Sequence, residues 1–406
     1  MKKQESSVGR RTFLKSTVIG ASGLVVGTTA AHAGLSQGAA NTTVKPAMMY
    51  RTLGKTGIKL PIVSMGVMNS DNPNLVRAAL DNGIIHLDTA HVYQRGNNEV
   101  MLGEVLKDYP RDSFILATKV RPDGRDRSTG SYSEAATVEN FLEKFDLSME
   151  RLGLDYVDIL YHHSVSTKEA ALHPNVLEAM KRIKNSGRAR FVGITTHSNE
   201  PEVIEAAIES QFYDVILTVY NFKYSEKDKL DAAIKKAANA GIGIVAMKTM
   251  AGGWLDRERT QPVNAKAALK WALQNEHIHT SIPGFTTFDQ MEDDLSIMAD
   301  LDLTDQEKKD IAFAQSQQGL YCSGCKECIP KCKKGLPIPD YMRAYMYTYG
   351  YRNLAKAQEL VASLGYDASA CEDCGTCNIL CNKGFAISER IKDVSRILDV
   401  PSDFVS

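Results

Sequence analysis

The sequence predicts an α/β chain: a (β/α)8 TIM barrel followed by a small, mainly helical C-terminal domain. Three observations carry this. From Tyr50 onward, short continuous apolar runs alternate with amphipathic stretches, the form expected of buried parallel strands and the helices that cover them. Gly83, Gly153, Gly187 and Gly241 each stand between an amphipathic stretch and the next apolar run, where helix C-caps belong. All eight cysteines lie between positions 322 and 381, beyond the last repeat. The 406 residues suffice for a large barrel and a smaller domain. A net charge of -1 gives no basic balance for nucleic acid, and 43% apolar residues suit a globular chain.

In chain order, residues 1–33 read as a targeting segment rather than fold. Arg10-Arg11-Thr12-Phe13-Leu14-Lys15 matches a twin-arginine signal, a weakly apolar run covers Val18 to Ala30, and Ala31-His32-Ala33 is a small-residue cleavage site. The run is short and glycine-rich against the roughly 20 apolar residues that a membrane span needs, so no transmembrane span is expected in the mature chain. This export route carries folded proteins, often with cofactors already inserted, so the expected location is the periplasm. Residues 34–49 are rich in Gly, Ala, Thr and Asn and read as a linker. Tyr50 to Pro61 reads as a hairpin under the barrel. Barrel strands are expected near 62–66, 84–88, 114–119, 156–162, 190–195, 214–220, 242–247 and 278–282, filling a barrel over 50–303. Val176, Leu177, Met180 and Ile183 fall on one helical face. An open doubly wound sheet is the alternative, but no G-x-G-x-x-G follows the first strand. Residues 304–406 form the second domain.

The chemistry gathers at strand ends. Leu87 to Glu99 (LDTAHVYQRGNNE) reads as a strand opening into a loop, with Asp88 at the strand end and Tyr93 beyond it. Phe114 to Lys119 ends on a lysine, and Tyr156 to His163 ends on two histidines. In a parallel barrel all these ends meet on one face. A phenol titrates near 10, too high for easy proton exchange near neutrality. A lysine cation beside it is expected to lower that value, with an aspartate holding the lysine charged. The set suits a tyrosine general acid aimed at a carbonyl oxygen, with a histidine orienting the substrate.

DTA-x-x-Y with Glu99 and Gly103 downstream, ATK, and YVD-x-x-x-x-H closely resemble the aldo-keto reductases, from about Tyr50 to Leu303. The resemblance implies that Tyr93 is the acid, Lys119 and Asp88 its tuners, and His163 the orienting histidine. His163 is preferred to His162 because it lies five residues after Asp158. It also implies a nicotinamide cofactor, NAD or NADP, extended across the barrel mouth, with a small carbonyl or alcohol as substrate. Thr195 and Thr196 stand where the family has a polar pair gripping the carboxamide, and Leu217 replaces a glutamine there. Tyr220-Asn221 follows on the same strand as Leu217, and Met247-Lys248 stands where many members stack a tyrosine on the ring. Gly252, Gly253 and Gly284 would let backbone N–H groups approach a diphosphate. Gly284 and Gln290 occupy places where NADP-preferring members carry Lys or Arg, leaving Lys248, Arg257 or Arg259 as substitutes, so the choice of nucleotide stays open. The resemblance places the pocket walls in variable loops, here 121–133 and 251–260, and Asp123 to Ser133 reads as a flexible surface loop.

Cys322-x2-Cys325-x2-Cys328-x3-Cys332 and Cys371-x2-Cys374-x2-Cys377-x3-Cys381 share one spacing, the bacterial ferredoxin pattern for two [4Fe–4S] clusters. Resemblance to two-cluster ferredoxins, over about Gly319 to Lys392, implies that Cys332 completes the second cluster and Cys381 the first. Lys333 and Asn382 replace the usual following proline. Four disulfides or zinc are the competing readings. The tyrosine-rich stretch from Asp340 to Ser363 reads as helix, its tyrosines as core. A cubane takes one electron and a hydride carries two. Three functions therefore stand: a carbonyl–alcohol oxidoreductase whose clusters reach a redox partner; an electron-transfer subunit whose barrel is a binding module; or a reductase with structural clusters.

Overall fold

A computed structural model of the chain describes residues 48–374 and 377–405. The targeting segment and most of the linker lie outside the described residues. A hairpin comes first: β1 (Tyr50–Thr52) pairs antiparallel with β2 (Lys59–Pro61). Its Leu53 and Leu60 are fully buried. Gly54 sits at φ 50° against the backbone that leads into a later strand; a Cβ there would come within 2.4 Å of Gly243 N and 2.5 Å of Gly241 O. The hairpin thus closes the end of the barrel where the strands begin.

The barrel follows as β3 (Met65–Gly66), α1 (Pro73–Asp81), β4 (His86–Asp88), α2 (Asn97–Leu106), β5 (Ile115–Val120), α3 (Val138–Leu152), β6 (Val157–Val165), α4 (Lys168–Ala171), α5 (Pro174–Asn185), β7 (Ala189–Thr196), α6 (Glu200–Ser210), β8 (Val215–Val219), α7 (Lys227–Asn239), β9 (Gly243–Met247), α8 (Ala265–Leu273), β10 (Thr280–Ser281) and α9 (Phe288–Ser296). β3 to β10 form one eight-stranded sheet in sequence order, every pair parallel. A parallel bridge between Val63 and Ser281, with Ser64 N donating to Ser281 O at 2.8 Å, closes it into a barrel. The eight expected strands are all present. Every residue of β6 is buried, as a strand with a filled interior on one side and helices on the other must be. The glycines after α1, α3, α5 and α7 take left-handed φ of 91°, 63°, 77° and 85° and stop those helices before the next strand.

Beyond the barrel, α10 (Asp305–Ser316) starts on a Thr304–Glu307 capping box, and α11 (Ile338–Tyr349), α12 (Leu354–Ala362) and α13 (Ile387–Ser395) pack on one another. Tyr341, Tyr345 and Tyr347 of α11 are buried, as core tyrosines would be. The described barrel and these helices form one compact unit. Lys223 Nζ donates to Ala314 O at 2.6 Å, Asn353 Nδ2 to Asn69 Oδ1 at 2.8 Å, and Arg257 pairs with Asp393 at 3.3 Å. These contacts tie α10, the start of α12 and α13 to the loops at the C-terminal ends of the strands. Among the described residues no helix is long and apolar enough to cross a membrane. Gly54→Ala combines a left-handed φ with a backbone collision; it is expected to destabilise the fold by about 1–3 kcal/mol, read as a lower guanidinium midpoint at unchanged slope.

Candidate active site

The loop that carries Tyr93 is built from an unusual backbone. Gln94 and Arg95 take φ of 50° and 56°, and Gly96 takes 95°. Left-handed non-glycine residues cost energy and need fixed surroundings. Asn98 supplies them: its Nδ2 donates to Val67 O at 2.9 Å and Ser70 O at 3.1 Å, while Thr89 Oγ1 donates to its Oδ1 at 2.6 Å. Gly96 leaves room for the Arg151 guanidinium, which a Cβ would meet at 2.3 Å. Arg151 in turn donates to His91 O at 2.9 Å and pairs with buried Glu99 at 3.3 Å. The loop is clamped on both sides and presents Tyr93 to the mouth.

There the strand ends converge. Asp88 of β4 forms an ion pair with Lys119 of β5, both about 2% exposed. Lys119 Nζ also donates to Thr89 O at 2.6 Å and to the Tyr93 hydroxyl at 3.2 Å. The His163 ring stands edge-on to Tyr93, centroids 6.0 Å apart. His162, pointing the other way, binds the Tyr132 hydroxyl at 2.8 Å through Nε2, with burial pushing its imidazole down to about 3. His163 is therefore the histidine that faces the mouth. Burial and then Lys119 hold its imidazole well below the usual value, so it is neutral.

One expectation needs correcting. Lys119 does not bring the Tyr93 phenol below its ordinary value; burial, and then the Asp88 carboxylate, hold it well above. The physical reason is that the lysine charge is already answered by Asp88, and burial lowers the lysine's own pKa. Because Lys119 donates to the phenol oxygen, the phenol's proton remains available to a ligand. The arrangement is a protonated donor beside a charge that would welcome its anion.

Asp88, Tyr93 and His163 line a cavity of about 400 Å³, within the range of small-molecule sites. Met247, Lys248 and Gly284 reach it, as do Gly252 and Gly253. Its roof comes from the second domain: Arg343 and Tyr347 of α11 and Lys356 of α12. Three buried polar atoms at its edge, Asp88 Oδ2, His163 Nδ1 and His197 Nδ1, have no partner. The donor set fits a polar guest.

A nicotinamide dinucleotide fits this mouth in part. The glycine loops after β9 and β10 leave open backbone for a diphosphate; a Cβ on Gly253 would meet nothing within 4 Å. The expected carboxamide grip is not at the cavity. Thr195 Oγ1 accepts from Ser164 N at 2.7 Å, and Thr196 Oγ1 donates to Ser198 O at 2.8 Å, so both serve the backbone. Tyr220 lies in the wall, stacked on Trp271 at 5.3 Å with its hydroxyl on Asp231 at 2.8 Å. Of the substitute cations, Arg259 lines the cavity over Trp254, and Arg257 turns away to Asp393. Lys248 has φ 58°, and burial and Arg343 bring it down to about 7.

Arg121 and Arg127 line the cavity from the 121–133 loop, one of the two loops expected to wall the pocket. Much of that loop is exposed, but Arg125 bridges Tyr132, and Tyr132 binds His162. Three lining residues escaped sequence reasoning. Arg343, Tyr347 and Lys356 sit in a stretch legible as helix, with nothing to say which face covers the barrel.

All eight cysteines are free thiols, so the disulfide alternative finds no support. Their electrostatic neighbours divide them. Burial and the thiols of Cys381 and Cys325 push Cys322 up to about 11, and burial with Cys322, Cys325 and Cys381 pushes Cys328 up to about 12. Cys371 is raised by burial and by Cys332, Cys374 and Cys377. Each quartet thus takes three thiols from one run and its fourth from the other. Among the described residues no three His, Cys, Asp or Glu converge on a single-ion site.

Comparison with known proteins agrees with this geometry. Residues 65–267, half of the chain, match the aldo/keto reductase family, and residues 321–386 match a 4Fe-4S dicluster domain. An L-glyceraldehyde 3-phosphate reductase of Escherichia coli K12 is 30% identical over 225 residues, covering 51% of this chain and 63% of that protein. This chain therefore spans less than two thirds of that relative. L-galactose dehydrogenase of Arabidopsis thaliana is 26% identical over 292 residues, covering 62% of this chain and 88% of that one. In structure, an aldo-keto reductase from Bacillus halodurans superimposes with a TM-score of 0.54 at 22% identity, over 69% of this chain and 99% of the other, a likeness of fold. The crossed quartets make a prediction of their own. Cys332→Ser is expected to strip iron from the Cys371 quartet and leave the Cys322 quartet loaded, so total iron falls by about half. Iron analysis with electron paramagnetic resonance checks it; loss confined to the Cys322 quartet would refute the crossing.

Proposed function

The chain belongs to the aldo/keto reductase family, and from that premise we propose a periplasmic oxidoreductase that interconverts a carbonyl and an alcohol, with NAD or NADP bound at the barrel mouth. The observation that carries this reading is the Lys119 ammonium, bonded at once to Asp88 and to the Tyr93 hydroxyl on the cavity wall. A carbonyl oxygen seated against Tyr93 and His163 receives the phenol's proton. The phenolate left behind lies 3.2 Å from a cation that Asp88 keeps charged and aligned. The Lys119 charge thereby offsets part of what burial costs the phenolate. His163, neutral and edge-on to Tyr93, orients the same oxygen. When bound, the nicotinamide supplies or takes the hydride; Gly252, Gly253 and Gly284 are the residues suited to its diphosphate.

The chain is an oxidoreductase that carries iron–sulfur clusters. We read them as two, wired to the site rather than stapling the C-terminus. Gly324, between Cys322 and Cys325, packs against the cavity wall, where a Cβ would come within 3.3 Å of His197 O. A cluster there adjoins the cavity, and a redox partner would draw single electrons from it. The second reading, an electron-transfer subunit with a binding barrel, is favoured by one observation: Thr195, Thr196 and Tyr220 are committed elsewhere. Mass analysis of retained nucleotide in freshly purified protein separates the two. The names of the two relatives, a reductase of L-glyceraldehyde 3-phosphate and a dehydrogenase of L-galactose, support a polyhydroxylated substrate.

Two outcomes test the proposal. Tyr93→Phe is expected to cut kcat for carbonyl reduction by about 10²–10⁴, the usual worth of a positioned acid, while iron content stays normal. Turnover unaffected by that change would remove the acid role. Arg10→Lys with Arg11→Lys is expected to leave the protein in the cytoplasm, with its signal uncleaved, in cell fractionation; export at the parental level would exclude the twin-arginine route.

A further inference from the structure

One side of the cavity carries more positive charge than the proton chemistry uses. Arg121 and Arg127 reach it from the loop after β5, and Arg343 and Lys356 reach it from the roof helices. Two carboxylates answer these four cations. Asp340 lies 3.2 Å from Arg343 and 4.0 Å from Arg127, and Glu359 lies 2.9 Å from Lys356. Arg121 has no ion pair among the described residues. Cations gathered at a sheltered wall without matching acids repel one another, and an entering anion relieves that cost.

The order of strands says which ligand this wall serves. In the closed ring three strands separate β5 from β9 in either direction, so the two stand opposite each other. Gly252 and Gly253 follow β9, and Gly284 follows its neighbour β10. Arg121 and Arg127 therefore stand across the mouth from the backbone suited to a cofactor's diphosphate. They lie on the side of Tyr93 and His163, which follow β4 and end β6. Arg121 and Lys356 are also near enough to His163 to help hold its imidazole neutral, after burial and Lys119.

We propose that this cationic wall receives an anionic substituent of the substrate, a carboxylate or a phosphate, while the carbonyl or hydroxyl to be converted sits at Tyr93 and His163. The assignment rests on the carbonyl–alcohol reading above. Arginine suits the task, because its planar fork can grip either oxyanion bidentately. Two of the four cations belong to the cysteine domain, so that domain completes the substrate pocket as well as holding the clusters.

Calorimetry on the full, iron-loaded protein tests this with three probes of one carbon skeleton: glycerate, glycerol 3-phosphate and neutral glycerol. At least one anion is expected to bind about tenfold or more tightly than glycerol, the worth of one charge-assisted hydrogen bond. Whichever anion binds more tightly identifies carboxylate or phosphate. The double variant Arg121→Gln/Arg127→Gln is expected to abolish that preference at unchanged iron content. The proposal is overturned if the three bind alike, if none binds, or if the preference survives in the variant, which would locate it at the diphosphate side. These outcomes are independent of Tyr93→Phe. An anion preference with fully active Tyr93→Phe protein would sink the acid role alone, and a dead Tyr93→Phe with no preference would sink the anionic substrate alone.

Discussion

The ion pair between Asp88 and Lys119 is the constraint from which the rest of the mouth follows. Taking two charges into a protein interior costs several kcal/mol per ion, and the pair repays it only with good geometry and further hydrogen bonds. Here the barrel supplies both. Asp88 and Lys119 sit on neighbouring strands whose parallel register brings their ends together, and Thr89 O and the Tyr93 oxygen accept the remaining ammonium protons. Removing either partner would strand the other as a buried charge. The pair also sets the tyrosine's chemistry: burial and Asp88 keep the phenol protonated, and the Lys119 ammonium offsets part of the cost of its anion.

A second dependence runs from this pair outward. Tyr93 can meet Lys119 only because its loop turns through three left-handed residues, and the turn holds only because Asn98, Glu99 and Arg151 tie it down. The buried polar residues downstream of DTA-x-x-Y are thus the frame of the site rather than part of its reaction. Thr195 and Thr196 have a comparable supporting task, one bonding Ser164 N and the other Ser198 O. Ser164 follows His163 and is itself left-handed at φ 64°, so Thr195 helps set the backbone from which the histidine projects.

The cysteine domain changes what kind of barrel this is. Open mouths let a substrate come and go along the strand ends. Here α11 and α12 roof the mouth, and the Cys322 quartet adjoins the cavity wall. Gly324, in the first cysteine run, packs on the cavity wall: a Cβ there would come within 3.3 Å of His197 O. Barrel, cysteine runs and pocket are parts of one compact unit.

Much of this was legible in the chain alone. Continuous apolar runs and the C-capping glycines specify the eight strands and their order, because strand burial and helix termination are local demands on residue type. The strand ends pick out Asp88, Tyr93, Lys119 and His163, which meet at one mouth, and the two cysteine runs pick out eight thiols in the matched 4Fe-4S region, because regular spacing maps directly onto regular geometry. What residue types could not decide was how surfaces meet. Thr195, Thr196 and Tyr220 carry suitable groups, but only packing shows those groups spent inside the wall. Arg121, Arg127, Arg343 and Lys356 lie up to 235 positions apart, and nothing local marks them as neighbours. The tyrosine's proton affinity likewise depends on burial and on which charge Lys119 already answers. Those are properties of the assembled interior, where dielectric, distance and pairing are settled together.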